Sequence, residues 1–220
     1  MLTHFVSPRF DHRKLEPPFY RDKVDVFEDR MRGWLLAPAL KLLDFNDFSV
    51  ASVSLATNYF EGIEIYHSGL DSVGQSKAFF RRGFQRVFRL GAESDEVQNH
   101  VIGCLYDLLR CGFAHDSMFR NGINFSTVRK EPLLVTLKRK NGQFDPSVPM
   151  ESVVINPRVF VEGIERHFTN YIRDLRRAHD GTLKENFEKA VAIKWRLGEP
   201  GRVIGMTEEE FMRGDAPSGA

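Results

Sequence analysis

Arg110 and His115 stand five positions apart in "LLRCGFAHDSMF" (108–119), and together they could do phosphate chemistry. A guanidinium is a permanent, two-pronged phosphate ligand, and an imidazole gives or takes a proton near neutral pH. An adjacent arginine also favours the neutral, basic form of a histidine. In an unbroken α-helix five residues turn the chain about 500°, leaving the two side chains roughly 140° apart. Gly112 lies between them, and glycine is the residue that most readily ends a helix with a positive φ. A break there would let Arg110, on the last rigid turn, and His115, from the segment beyond, converge on one point. As spacing alone, such a pair arises by chance in most chains of this size.

Other residues are candidates around that pair. Tyr106 lies one turn before Arg110 and is expected to share its face as a site wall. Asp116 could hold the ring tautomer of His115, and Arg120 and Asn121 could add phosphate contacts. Glu61 and Glu64 sit on adjacent parts of one expected helix. They could orient His115 or an arginine; as ordinary residues they would be a surface acid and a buried ion-pair partner. The stretch "KAFFRRGFQRVFRL" (77–90) holds five basic residues and no acid. On a helix Arg82, Arg86 and Arg89 would form one stripe, fit either to follow an RNA backbone or to pair with acids elsewhere. Phe80, Phe84 and Val87 form a second stripe, expected in the core. His100, Cys104, Cys111 and His115 have an H-x3-C-x6-C-x3-H spacing. It lacks the C-x2-C knuckle of structural zinc, so buried helical cysteines are the expectation, with no metal and no cofactor.

The chain that must position these groups has 220 residues, 42% hydrophobic and 28% charged, with a formal charge of +1. It fits one sizeable domain whose overall charge does not attract nucleic acid, so any such binding needs a local patch. Phenylalanine outnumbers tyrosine 19 to 5, pointing to helix faces carrying large apolar rings. The two cysteines lie seven apart on one expected helix, which fits a reducing cytoplasm rather than a disulfide framework. "MLTHFVSPRF" has no apolar core region and no apolar run nears 18 residues, so neither a secretory leader nor a membrane span is expected.

Residues 1–19, with Pro8, Pro17 and Pro18, read as an irregular lead-in. Helical periodicity runs from Tyr20 to about Phe45, with Pro38 expected to kink or divide it. Ser49 would cap a second helix ending at Gly69; a third spans roughly Ser76 to Leu90, and a fourth starts at Ser94. Four such helices joined by short links predict a mainly α, up-and-down four-helix bundle. "INFSTV" (123–128), "LLVTLKR" (133–139) and "SVVIN" (152–156) then predict a small antiparallel β-insert at about 123–156, with a turn at Asn141-Gly142. C-terminal helices follow, one opened by the Asn156-Pro157 cap and one with Thr182 and Glu185 at capping-box spacing. Residues 20–196 thus form a single domain, and 197–220 a frayed or disordered tail.

Within that frame "RCGFAH" (Arg110 to His115) resembles the R-x4-H motif of the HEPN family (higher eukaryotes and prokaryotes nucleotide-binding domain), set near the end of a late bundle helix. "ATNYFEGIEIYHSG" is similar to the acid-bearing second helix of such bundles, and the resemblance covers roughly residues 20–120. It implies a metal-independent endoribonuclease of the toxin or defence type, acting as a homodimer on an RNA substrate, with an antitoxin or regulatory protein as a further partner. Each chain would contribute one motif to a composite site. His115 would act as general acid or base and Arg110 would steady the phosphorane, leaving a 2′,3′-cyclic phosphate. The alternative is a non-catalytic regulatory or nucleotide/RNA-binding dimer module in which the pair holds the interface. Two positions depart from the family pattern. Cys111 stands where many members carry a small polar residue, and Ser117 where some carry a tyrosine that a partner nucleotidyltransferase modifies.

Overall fold

The chain is described by a computed structural model covering residues 6–90, 95–112, 118–119, 121–144, 151–178, 181–195, 202–203, 206–207 and 213. It is mainly helical, with a small three-stranded sheet. The lead-in is not wholly irregular: His12–Leu15 form a 3₁₀ turn. Ser7 Oγ (2.7 Å) and Arg9 Nε (2.6 Å) tie the segment to the buried carboxylate of Asp29. The first helical stretch comprises α1 (Tyr20–Arg30), a π-helical segment (Met31–Leu36) and α2 (Ala37–Leu42). Pro38 falls in the first turn of α2, where its missing N–H is tolerated, and the chain divides just upstream by widening rather than breaking.

α3 (Ser49–Ser68) is the central helix and packs against α2, α4, α6 and α7. Its weak amphipathicity follows from that position, because a helix covered on most sides has no single apolar stripe. Ser49 does not cap it: Phe48 is the N-cap residue and no side chain bonds the first turn. At the other end Gly69 takes φ +69°, and its N–H donates to the Ile65 carbonyl (2.8 Å). α4 (Ser76–Val87) crosses α3 so closely that a Cβ on Gly83 would lie 1.8 Å from the Phe60 carbonyl oxygen. Phe60 is enclosed by Phe80, Phe84, Phe88 and Phe160, with ring centroids 5.0 to 6.0 Å away. Both expected core phenylalanines of α4 are therefore buried.

α5 (Asp95–Leu105) continues into a second π-helical segment (Tyr106–Cys111). The sheet is built from β1 (Ile123–Phe125), β2 (Leu133–Thr136) and β5 (Ser152–Ile155), in the order β1-β5-β2. It is mixed, correcting the antiparallel expectation: β5 runs antiparallel to β2 but parallel to β1. Residues 126–151 make the long return that a parallel pair needs. Within it β3 (Arg139–Lys140) and β4 (Gln143–Phe144) form a tight hairpin. Asn141 and Gly142 turn that hairpin with φ +52° and +78°, the two positive angles of a type I′ turn.

β5 feeds directly into α6 (Pro157–Arg177), where Asn156 Oδ1 accepts the Val159 N–H (3.3 Å) and Pro157 opens the first turn, as the sequence predicts. One face of α6, from Phe160 to Leu175, joins the core along with Val153 and Ile155 of β5. α7 (Thr182–Trp195) returns along α3, where Asn186 Nδ2 donates to the His67 carbonyl (2.7 Å). Thr182 is already helical, and the first-turn N–H of Glu185 bonds the Gly181 carbonyl (3.1 Å). In the expected tail, β6 (Arg202–Val203) pairs with β7 (Met206–Thr207).

Candidate functional site

Arg110 lies on the second π-helical segment. There the i→i+5 hydrogen-bond pattern brings Tyr106 alongside Cys111. In an ordinary α-helix that spacing would separate them. Burial, the Cys111 contact and the nearby Glu61 carboxylate push the Tyr106 hydroxyl up to about 12, against the opposing charge of Arg110. Tyr106 therefore stays protonated near neutral pH, walled by the Phe80 ring (5.3 Å) with the Lys77 ammonium 5.8 Å from its centre. Arg110 itself is half-buried and, among the described residues, makes no hydrogen bond or ion pair. Lys77 takes the neighbouring acid, Asp107, at 2.7 Å.

Gly112 does not take the expected positive φ. It is right-handed helical at φ −55°, ψ −52°, because the wider π turn changes side-chain phase without breaking the backbone. His115, Asp116 and Arg120 lie outside the described residues, while Asn121 is exposed. Tyr106, Arg110 and Glu61 are therefore the expected members that the fold brings together.

Glu64 faces elsewhere. Its carboxylate is 2% exposed and accepts Arg82 Nε at 2.8 Å and Arg86 Nε at 2.6 Å, both from α4 across the Gly83 crossing. Two of the three expected RNA-contacting arginines are thus held by a buried acid, although both side chains remain 39% exposed. Arg89 does not extend their stripe. α4 ends at Val87, Phe88 is extended (φ −121°, ψ 126°), and Arg89 follows it on the exposed surface. Burial of the Phe88 ring against Phe160 (5.1 Å) fits the helix ending there.

A second polar cluster, not anticipated from the sequence, joins α3 to α6. The His167 Nδ1 pairs with the hydroxyl of fully buried Tyr59 at 2.8 Å. His67 packs on Tyr171 (4.3 Å between ring centres) and lies 5.9 Å from the His167 ring. Among the described residues the buried His67 Nε2 atom has no hydrogen-bond partner. Burial first, and then the Arg86 charge, hold both imidazoles neutral; His67, which also feels His167, is pushed down to about 3 and His167 to about 4. The only local signal was Glu64 and His67 one helical turn apart, since His167 lies 100 positions further along the chain.

His100 Nε2 and Cys104 Sγ are 3.6 Å apart, one turn of α5. Among the described residues no group of three or more metal-ligating side chains converges. No described helix is long and apolar enough to cross a membrane. No family model, no curated protein and no solved structure matches this chain.

Proposed function

We propose that this chain is a metal-independent endoribonuclease with a HEPN-like helical bundle, acting as a homodimer in which Arg110 and His115 of each chain form one composite site. The observation that supports this reading is Arg110. Acids pair with Arg9, Arg32, Arg82, Arg86, Arg158 and Arg176, whereas among the described residues half-buried Arg110, like Arg30 and Arg81, has no acid partner, and of those three only Arg110 stands in the motif. A partly desolvated guanidinium whose charge is left open favours an anion from outside. It also sits on a π-helical turn, a local geometry frequent at functional sites, five residues before the only titratable group of the motif that cycles a proton near pH 7.

The chemistry follows from those two groups. One imidazole withdraws the proton of the ribose 2′-hydroxyl, and the 2′-oxygen bonds to phosphorus. The bond to the 5′-oxygen breaks, and the leaving oxygen takes its proton from the second imidazole, supplied by the other chain. Arg110 stabilises the charge on the pentacoordinate phosphorus. The products are a 2′,3′-cyclic phosphate and a 5′-hydroxyl. Tyr106, kept protonated, is a neutral wall and donor beside Arg110. In a toxin or defence setting a partner protein would hold this activity in check.

The test is cleavage of a labelled RNA by the purified chain. His115→Ala abolishes cleavage and Arg110→Lys, which keeps charge but not the fork, lowers it by about 100-fold or more, with oligomeric state and circular dichroism unchanged. Cleavage persists in EDTA. Wild-type rates in His115→Ala, or activity that EDTA removes and zinc restores, would refute the reading.

A further inference from the structure

Glu64 of α3 holds Arg82 and Arg86 of α4, and one turn further along α3 His67 lies 5.9 Å from the His167 ring of α6. Glu64 and His67 lie one turn apart on α3, Arg82 and Arg86 one turn apart on α4, and His167 projects from α6. We propose that Arg82, Arg86, His67 and His167 form a phosphate-binding site.

Four observations carry this. First, Glu64 binds each arginine only through Nε, at 2.8 and 2.6 Å. Among the described residues the terminal Nη1 and Nη2 groups of both arginines have no hydrogen-bond or ion-pair partner, and both side chains are 39% exposed. A buried carboxylate that fixes two guanidiniums by their inner edges presents their outer edges as a pre-set fork. Second, one acid against two arginines leaves a net positive charge, which suits an anion and excludes a metal cation. Third, among the described residues the buried His67 Nε2 has no partner, a state that is costly unless something else supplies one. Fourth, the buried Tyr59 hydroxyl fixes the His167 ring at Nδ1. That contact occupies one ring nitrogen of His167 and leaves Nε2 as the nitrogen open to a ligand.

The ligand chemistry follows from the donors. A carboxylate offers two acceptor oxygens in one plane, too few directions for two guanidinium forks and an imidazole together. A tetrahedral phosphate has oxygens for both forks and for an imidazole N–H as well. Its negative charge also offsets Arg86, the charge that helps to keep both imidazoles neutral, so binding draws a proton onto the pair. None of these residues belongs to the Arg110–His115 motif, and the proposal does not depend on RNA cleavage.

The experiment is a ring-nitrogen NMR titration of the full chain with inorganic phosphate, against sodium chloride at equal ionic strength. The expected result is a saturable shift of His67 and His167 with Kd of about 1 mM or tighter and with proton uptake. His67→Gln, which keeps a hydrogen-bonding side chain, weakens binding about tenfold, and Arg86→Gln does so more strongly. Shifts that chloride reproduces, or none at all, would overturn the proposal. A 5′-phosphorylated trinucleotide and its 5′-hydroxyl counterpart identify the source. Tighter binding of the first assigns a terminal or free phosphate, and equal saturable binding assigns the phosphodiester backbone; binding by neither counts against the site if inorganic phosphate is also silent.

Discussion

Acid should unfold this protein through His67 and His167. In the native chain, burial and then the Arg86 charge hold His67 down to about 3 and His167 to about 4, from an ordinary value of 6.5. The groups facing them are Arg86 from α4, Tyr171 from α6, Tyr59 from α3, and each other. In the unfolded chain both rings titrate near 6.5, so between about pH 6.5 and 4 the unfolded state binds up to two more protons than the native state. Stability is therefore full above pH 6.5 and is lost as pH falls through that window. Each ring contributes a slope of at most ~1.4 kcal/mol per pH unit, or ~2.7 for the pair. Both rings are partly open to solvent, which roughly halves this to ~1.3, and so ~2 kcal/mol is lost between pH 6.5 and 5. Urea denaturation at half-unit steps from pH 7.5 to 5 measures the slope. The His67→Gln/His167→Gln double variant, whose amide at 167 still accepts the Tyr59 hydroxyl, should lose about that much of the wild-type pH dependence. Parallel wild-type and double-variant curves would show that these rings are not held neutral by the fold.

Two further perturbations address the framework beneath the sites. Gly83→Ala gains about 1 kcal/mol of helix propensity but drives a methyl to 1.8 Å from the Phe60 carbonyl oxygen. The net effect should be a loss of ~2 kcal/mol or more with a lowered urea midpoint, and an unchanged midpoint would mean α3 and α4 do not cross this tightly. Glu64→Gln leaves two arginines without their shared counter-charge; because both can turn to solvent, the loss should be ~1–3 kcal/mol rather than the full cost of a buried orphan. A thermal melt within 1 °C of wild type would contradict the ion triad.

Periodicity and caps fixed much of the architecture in advance. The apolar spacing from Phe160 to Leu175, the Asn156-Pro157 start, the Gly69 stop and the Asn141-Gly142 turn depend on residues within a few positions of one another, so they are readable locally. Arg110, Tyr106 and Glu61 were candidates by chemistry and spacing, and the fold sets them near one another. The widening at Tyr106–Cys111 leaves no mark in an apolar pattern, and Gly112, which by itself favours a helix end, is held helical by its surroundings. Strand order in the insert, the partnership of Glu64 with Arg82 and Arg86, and the meeting of His67 with His167 were decided by tertiary structure alone. Hydrophobicity and turn chemistry say which residues turn inward; which of them then touch is set by how closely the helices can approach, and here the bare Cα of Gly83 against Phe60 sets that distance.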